Sequence, residues 1–246
     1  MWSTLIQLFR PGNPMEGLSD DFEKMYGIVH EMAQMVRPHI FQHSLSLEQR
    51  SEIYKLDIQV SKLERAIRKR VVNHVTMSRE QIPYCLLLMS LVKDVERIGD
   101  YIKNISEISE LGGGPIPDGD LSRELAELAD TAMLMMNEVY TVFSNEQQER
   151  ANELVHIGRM AGKRCDRLLV ALAKSDFTAT ETTSLVLLTR FYKRVSGHLL
   201  NVASSVIMPL HKIDFYDEQL VTCLLYTSDA ADDTPCVALG GRRIIK

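Results

Sequence analysis

Helix breakers are scarce in this chain, and strand-building patterns are scarcer. Its 246 residues include 13 glycines and 8 prolines, and β-branched residues nowhere alternate with polar ones over the length of a strand. That argues against a sandwich or barrel. What remains is rich in Leu, Met, Ala, Glu, Lys and Arg, the composition of helix. Cysteine is also sparse. Cys85 and Cys165 stand alone, in no CxxC spacing, and read as buried apolar side chains in a reducing compartment with no disulfide expected. No apolar run reaches the roughly 18 residues of a membrane span, and the N-terminal MWSTLIQLFR lacks the basic start, apolar centre and cleavage site of a secretory signal. The expected address is the cytoplasm, peripheral to a membrane at most. Basic excess is missing too. With 28 Lys and Arg against 33 Asp and Glu, a net charge of −5 and a pI near 5.8, the chain is not built primarily for nucleic acid. Nor does it contain a glycine-rich phosphate loop, a nucleophile elbow or a Cys/His metal spacing.

The segments between the few breakers have the 3.6-residue period. Residues Ile53, Leu56, Val60, Leu63, Ile67 and Val71 step by three and four and define one apolar stripe over 46–75. N-cap and N3 pairs stand at Asp20/Glu23, Ser46/Gln49, Asn145/Gln148 and Thr178/Glu181. From Pro83 to about Glu110 only Gly99 interrupts, at a cost near 1 kcal/mol against alanine, which points to close packing there. The run LGGGPIPDGD over 111–120 has the composition of a connection. Six helices are predicted, over 17–42, 46–75, 82–110, 120–144, 146–175 and 181–208. Around that linker the halves repeat: RIGDYIKNISEI aligns with RVSGHLLNVASSV, pairing Arg97 with Arg194 and Asn104 with Asn201. An offset spanning one three-helix unit predicts a duplicated bundle. The domains read as an N-terminal amphipathic segment at 1–15, a first repeat at 16–110, a linker at 111–119 and a second repeat at 120–219.

One phrase in the third helix raises a chemical question. In LVKDVERIGDYIKNI, Glu96 and Asp100 lie four residues apart, where like charges cost a few tenths of a kcal/mol. Either a positive group lies between them or the pair is tolerated. With 33 acidic residues in 246, chance placement gives about four such pairs, so the spacing by itself is more often a solvated face.

The phrase KDVERIGDYIKNI, preceded one helix earlier by LDIQVSKLERAIRKR and followed by a second copy of both, resembles the PhoU family of phosphate-uptake regulators over roughly residues 16–219. The resemblance implies an all-α fold of two pseudo-symmetric three-helix bundles. It implies carboxylates on the second and third helices of each bundle that bind iron or zinc. It also implies a non-enzymatic role, by contact with a phosphate transporter, ABC-type or sodium-coupled, and/or a sensor histidine kinase; a homodimer stays open. Carried over by position, the metal-ligating residues are Asp57, Glu96 and Asp100, with iron or zinc expected in the first repeat only. Ser61 departs from the pattern, standing where a second acidic residue is expected. In the second repeat the matching positions hold Lys193, Gly197, Arg159 and Lys163, so its metal site reads as lost.

Two readings from other classes stand beside this one. Glu153 and His156 form Glu-x-x-His, the ligand pair of di-metal carboxylate bundle oxidases, although no second copy accompanies it. A metal-free helical scaffold is the other. Met133, Met135 and Met136 read as core filling, His198 as a packed or surface histidine, and Arg65, Arg68, Lys69 and Arg70 as a solvated face. The run CLLYTSDAADDTPCVALGGRRIIK over 223–246 resembles translated sequencing-library adaptor and is set aside from the fold.

Overall fold

The computed structural model describes residues 16–40, 45–76 and 81–213. The amphipathic Trp2–Phe9 segment and the adaptor-like run 223–246 lie outside them. Six helices follow one another: α1 Glu16–Val36, α2 Leu47–Val75, α3 Ile82–Ser106, α4 Asp120–Ser144, α5 Gln148–Leu172 and α6 Ala179–Ser204. Short 3₁₀ turns stand at Arg37–His39 and Leu210–Lys212. The fold is all-α. All six helices lie in one compact unit.

Local chemistry sets most of the boundaries. At the start of α2 the Ser46 hydroxyl accepts from the Gln49 N–H, and the Gln49 side chain accepts from the Ser46 N–H at 2.9 Å. Thr178 and Glu181 close the same reciprocal box on α6, satisfying donors that a helix N-terminus leaves open. The other two expected caps are corrected. Asp20 lies inside α1, which begins at Glu16. Asn145 ends α4 instead of starting α5, its N–H reaching back to the Thr141 and Phe143 carbonyls. Glu146 then adopts φ 50°. A reversal this tight needs one left-handed residue, and the chain completes it before α5 starts. Helix α1 stops at Val36, short of residue 42, because Pro38 in the following 3₁₀ turn cannot donate the next i→i−4 bond.

Helices α1, α2 and α3 pack on one another, as do α4, α5 and α6. The predicted stripe on α2 faces inward: Ile53, Leu56, Val60, Ile67 and Val71 are buried. Gly99 is where α1 and α2 close on α3, since a Cβ there would stand 3.3 Å from a Val29 methyl and 3.8 Å from one of Val60. Met135 and Met136 are core residues, and Cys85 and Cys165 are buried and free. The two triads join through α3 on α6 and α1 on α4. The linker is tied down as well, with the Gly114 N–H on the Thr180 carbonyl at 3.0 Å and the Ser184 hydroxyl on the Gly114 carbonyl at 2.7 Å.

The seam between the triads is polar in places. Along α1 and α4, Tyr26 donates to the Met136 carbonyl and His30 meets Asn137 at 2.7 Å, and just past the end of α1 Arg37 binds Asp130 at 2.6 Å. Along α3 and α6, the fully buried Asp94 takes His198 Nδ1 at 2.8 Å and the Asn201 amide at 3.1 Å on a single oxygen. The imidazole of His198 stacks on Tyr101 with ring centroids 5.8 Å apart. His198 is therefore an inter-triad contact.

Candidate functional site

The i, i+4 spacing of Glu96 and Asp100 puts both carboxylates on one face of α3. Packing of α3 on α2 turns that face toward Asp57. The three residues expected to hold metal are thus brought into one half-buried cluster, with Glu64 of α2 beside them.

A cation does stand among them, and it belongs to the chain. Lys103, three residues after Asp100 and seven after Glu96, extends its ammonium across the α2–α3 seam. It donates to Asp57 Oδ2 at 2.8 Å and reaches Asp100 Oδ1 at 3.5 Å. Arg97 covers the outside, 3.2 Å from Asp100 Oδ2 and 3.7 Å from Glu96 Oε2. Glu64 is engaged by Arg68 at 2.8 Å.

The charges remain unevenly matched. Burial pushes the Glu96 carboxyl above the usual glutamate range, and the nearby charges of Asp100, Glu64 and Asp57 push it further; Arg97 offsets this only in part. Burial works against the charge of Lys103. The Asp57 hydrogen bond and the charges of Asp57 and Asp100 outweigh it, so the ammonium is held above the usual lysine range.

This donor set does not fit a bound metal as arranged. Iron or zinc would need oxygens closing on a shared centre, and the point between Asp57 and Asp100 is taken by the lysine nitrogen. Among the described residues, no three His, Cys, Asp or Glu side chains are grouped to hold a metal ion.

In the second triad the equivalent face has changed sign. The alignment that pairs Asp57 with Arg159 pairs, seven residues on, Glu64 with Asp166, while Glu96 pairs with Lys193. Two facing carboxylates have become an ion pair, for Lys193 on α6 binds Asp166 on α5. Each triad therefore ties its second helix to its third with a Lys–Asp bridge.

The rival di-metal constellation is not assembled. Both Glu153 and His156 lie on the exposed side of α5, and Glu153 pairs with Arg150. No core site can be built from side chains that face away from the bundle axis. Sequence reasoning missed Lys103, although its i+3 and i+7 spacing from Asp100 and Glu96 places it on their stripe. It also missed Asp94, whose α6 partners no local pattern specifies.

Comparison with known proteins agrees with this architecture. Residues 22–109 match the family model described as the PhoU domain. A phosphate-specific transport system accessory protein PhoU homolog of Synechocystis sp. is 23% identical over 198 residues, covering 78% of this chain and 87% of the relative. The crystal structure of PhoU from Pseudomonas aeruginosa has a TM-score of 0.69 at 16% identity, over 80% of this chain and 97% of that one. The phosphate transport system regulatory protein PhoU from Streptococcus pneumoniae gives 0.65 at 15% identity, over 81% and 94%. At these identities the structural likeness shows the fold.

Proposed function

We propose that the chain is a member of the PhoU family and that it regulates a phosphate-specific transport system by direct protein contact. On that reading it acts as a regulatory protein and not as an enzyme. The observation that carries the reading is the PhoU-domain match across 22–109, seated in a six-helix fold that follows PhoU structures over four-fifths of the chain.

Its partner is a phosphate importer, ABC-type or sodium-coupled, or a phosphate-sensing histidine kinase, met at the cytoplasmic face of the membrane. Among the described residues no helix is long and apolar enough to cross a membrane, so any membrane association on their part runs through a partner or the surface. Large apolar side chains left outside support contact as the mode of action. Leu47, Tyr54, Ile58 and Val72 are all exposed on α2, and at about 100° per residue they fall on one line with the basic Arg65.

Complementation tests the proposal. In a bacterium deprived of its own PhoU, this chain should restore repression of a phosphate-starvation reporter in phosphate-rich medium. The purified chain should bind the importer's cytoplasmic component or the kinase. A folded, expressed chain that neither restores repression nor binds either partner would end this reading.

A further inference from the structure

We propose that the first repeat is metal-independent because the ammonium of Lys103 is its built-in cation, and that this side chain shuts divalent metals out of a carboxylate face that would otherwise take them. The inference goes beyond the transport role and does not depend on it.

Three observations carry it. Position comes first. Lys103 arises from α3 but spends its charge on α2, 2.8 Å from Asp57, while staying 3.5 Å from Asp100 on its own helix. A metal bridging these helices through the same two carboxylates would have to displace it. Burial is second. The side chains of Lys103 and Asp57 are only 20% and 17% exposed, so water screens the pair less than a surface bridge. Expelling the ammonium would leave a half-buried charge to be resettled, and that cost falls on any incoming metal.

The third observation is independent of the cluster. The second triad reaches the same end from a different position, with Lys193 of α6 on Asp166 of α5. Where the first triad faces Glu96 toward Glu64, the second has replaced one of the two acids by lysine. Both triads thus neutralise the α2–α3 and α5–α6 seams with a covalently attached amine. An attached cation does not dissociate, so neither seam depends on the supply of metal.

The test compares the full chain, purified without a metal-affinity tag, with four variants: Lys103→Met, Lys103→Arg, Glu96→Ala with Asp100→Ala, and the triple variant that combines Lys103→Met with those two changes. Each is dialysed against zinc or manganese, then assayed by elemental analysis and calorimetry. Lys103→Met should bind metal at least about tenfold more tightly than wild type, because a repelling charge has left and the oxygens stay. Lys103→Arg should behave as wild type, and the triple variant should lose the gain. Metal held by wild type and lost on Glu96→Ala with Asp100→Ala overturns the proposal. So does a folded Lys103→Met variant that binds no more metal than wild type.

Acylation footprinting decides the matter on wild type should Lys103→Met fail to fold. Lys103 should be labelled far more slowly than the exposed Lys69, and equally slowly when zinc is in excess. Zinc-induced labelling of Lys103 would mean that metal displaces the ammonium, and the proposal fails.

Discussion

Glu96 is the residue whose charge the cluster accommodates least. Lys103 is spent on Asp57 and Asp100, and Arg97 reaches Glu96 only at 3.7 Å. The carboxyl is accordingly raised above the usual glutamate range, by burial first and by Asp100, Glu64 and Asp57 next. A raised carboxyl means that the folded chain holds this proton more tightly than the unfolded one. Stability contributed by the protonated form is present at low pH and is lost as pH climbs from the ordinary glutamate value through the raised one. Glu96→Gln should therefore stabilise the protein at pH 7, by a few tenths to about 1 kcal/mol, and the gain should vanish in acid below the ordinary glutamate range. Urea unfolding of both proteins at the two pH values measures it; a variant less stable at pH 7 would show that Arg97 does more for Glu96 than its distance implies.

At the scale of the element, the caps separate what a helix can specify for itself from what its neighbours impose. Ser46/Gln49 and Thr178/Glu181 are reciprocal boxes in the structure as in the sequence, because all the atoms involved lie within four residues. Asn145/Gln148 has the same spacing and does not cap. Its backbone is committed to the α4–α5 reversal, where Glu146 at φ 50° decides the path. Thr178→Ala should cost about 1 kcal/mol, the usual value of an N-cap hydroxyl. Asn145→Ala should leave the start of α5 intact. Hydrogen exchange at the first turns of α5 and α6 separates the two, with faster exchange confined to α6. Equal effects at both helices would show that Asn145 caps after all.

The whole molecule depends on how the triads meet, and there Asp94 is the sensitive point. It is fully buried, with Oδ1 held by His198 and Asn201, and with Oδ2 without a hydrogen-bond partner. Lys93 Nζ stands 3.9 Å from the bound oxygen. Removing a partner from a buried carboxylate costs more than the bond itself is worth, because the charge stays behind. His198→Ala should destabilise by about 2–3 kcal/mol, while the same change in an Asp94→Asn background should cost clearly less. A double-mutant cycle by urea unfolding reads this coupling directly. An effect of His198→Ala within about 0.5 kcal/mol, the size of a surface change, would show that the seam does not rest on this pair.

The sequence by itself determined the helices, their apolar faces and the breakers between them. Each of these is fixed by residues a few positions apart, through 3.6-residue periodicity, caps and the chemistry of glycine and proline. It also placed Glu96 and Asp100 on one stripe and brought Asp57 into the same cluster by resemblance. Only the tertiary structure decided what stands between those carboxylates. Lys103 reaches Asp57 across 46 residues of chain, and His198 reaches Asp94 across 104. Which charged groups meet at such separations is set by how the helices pack, and no local spacing encodes it.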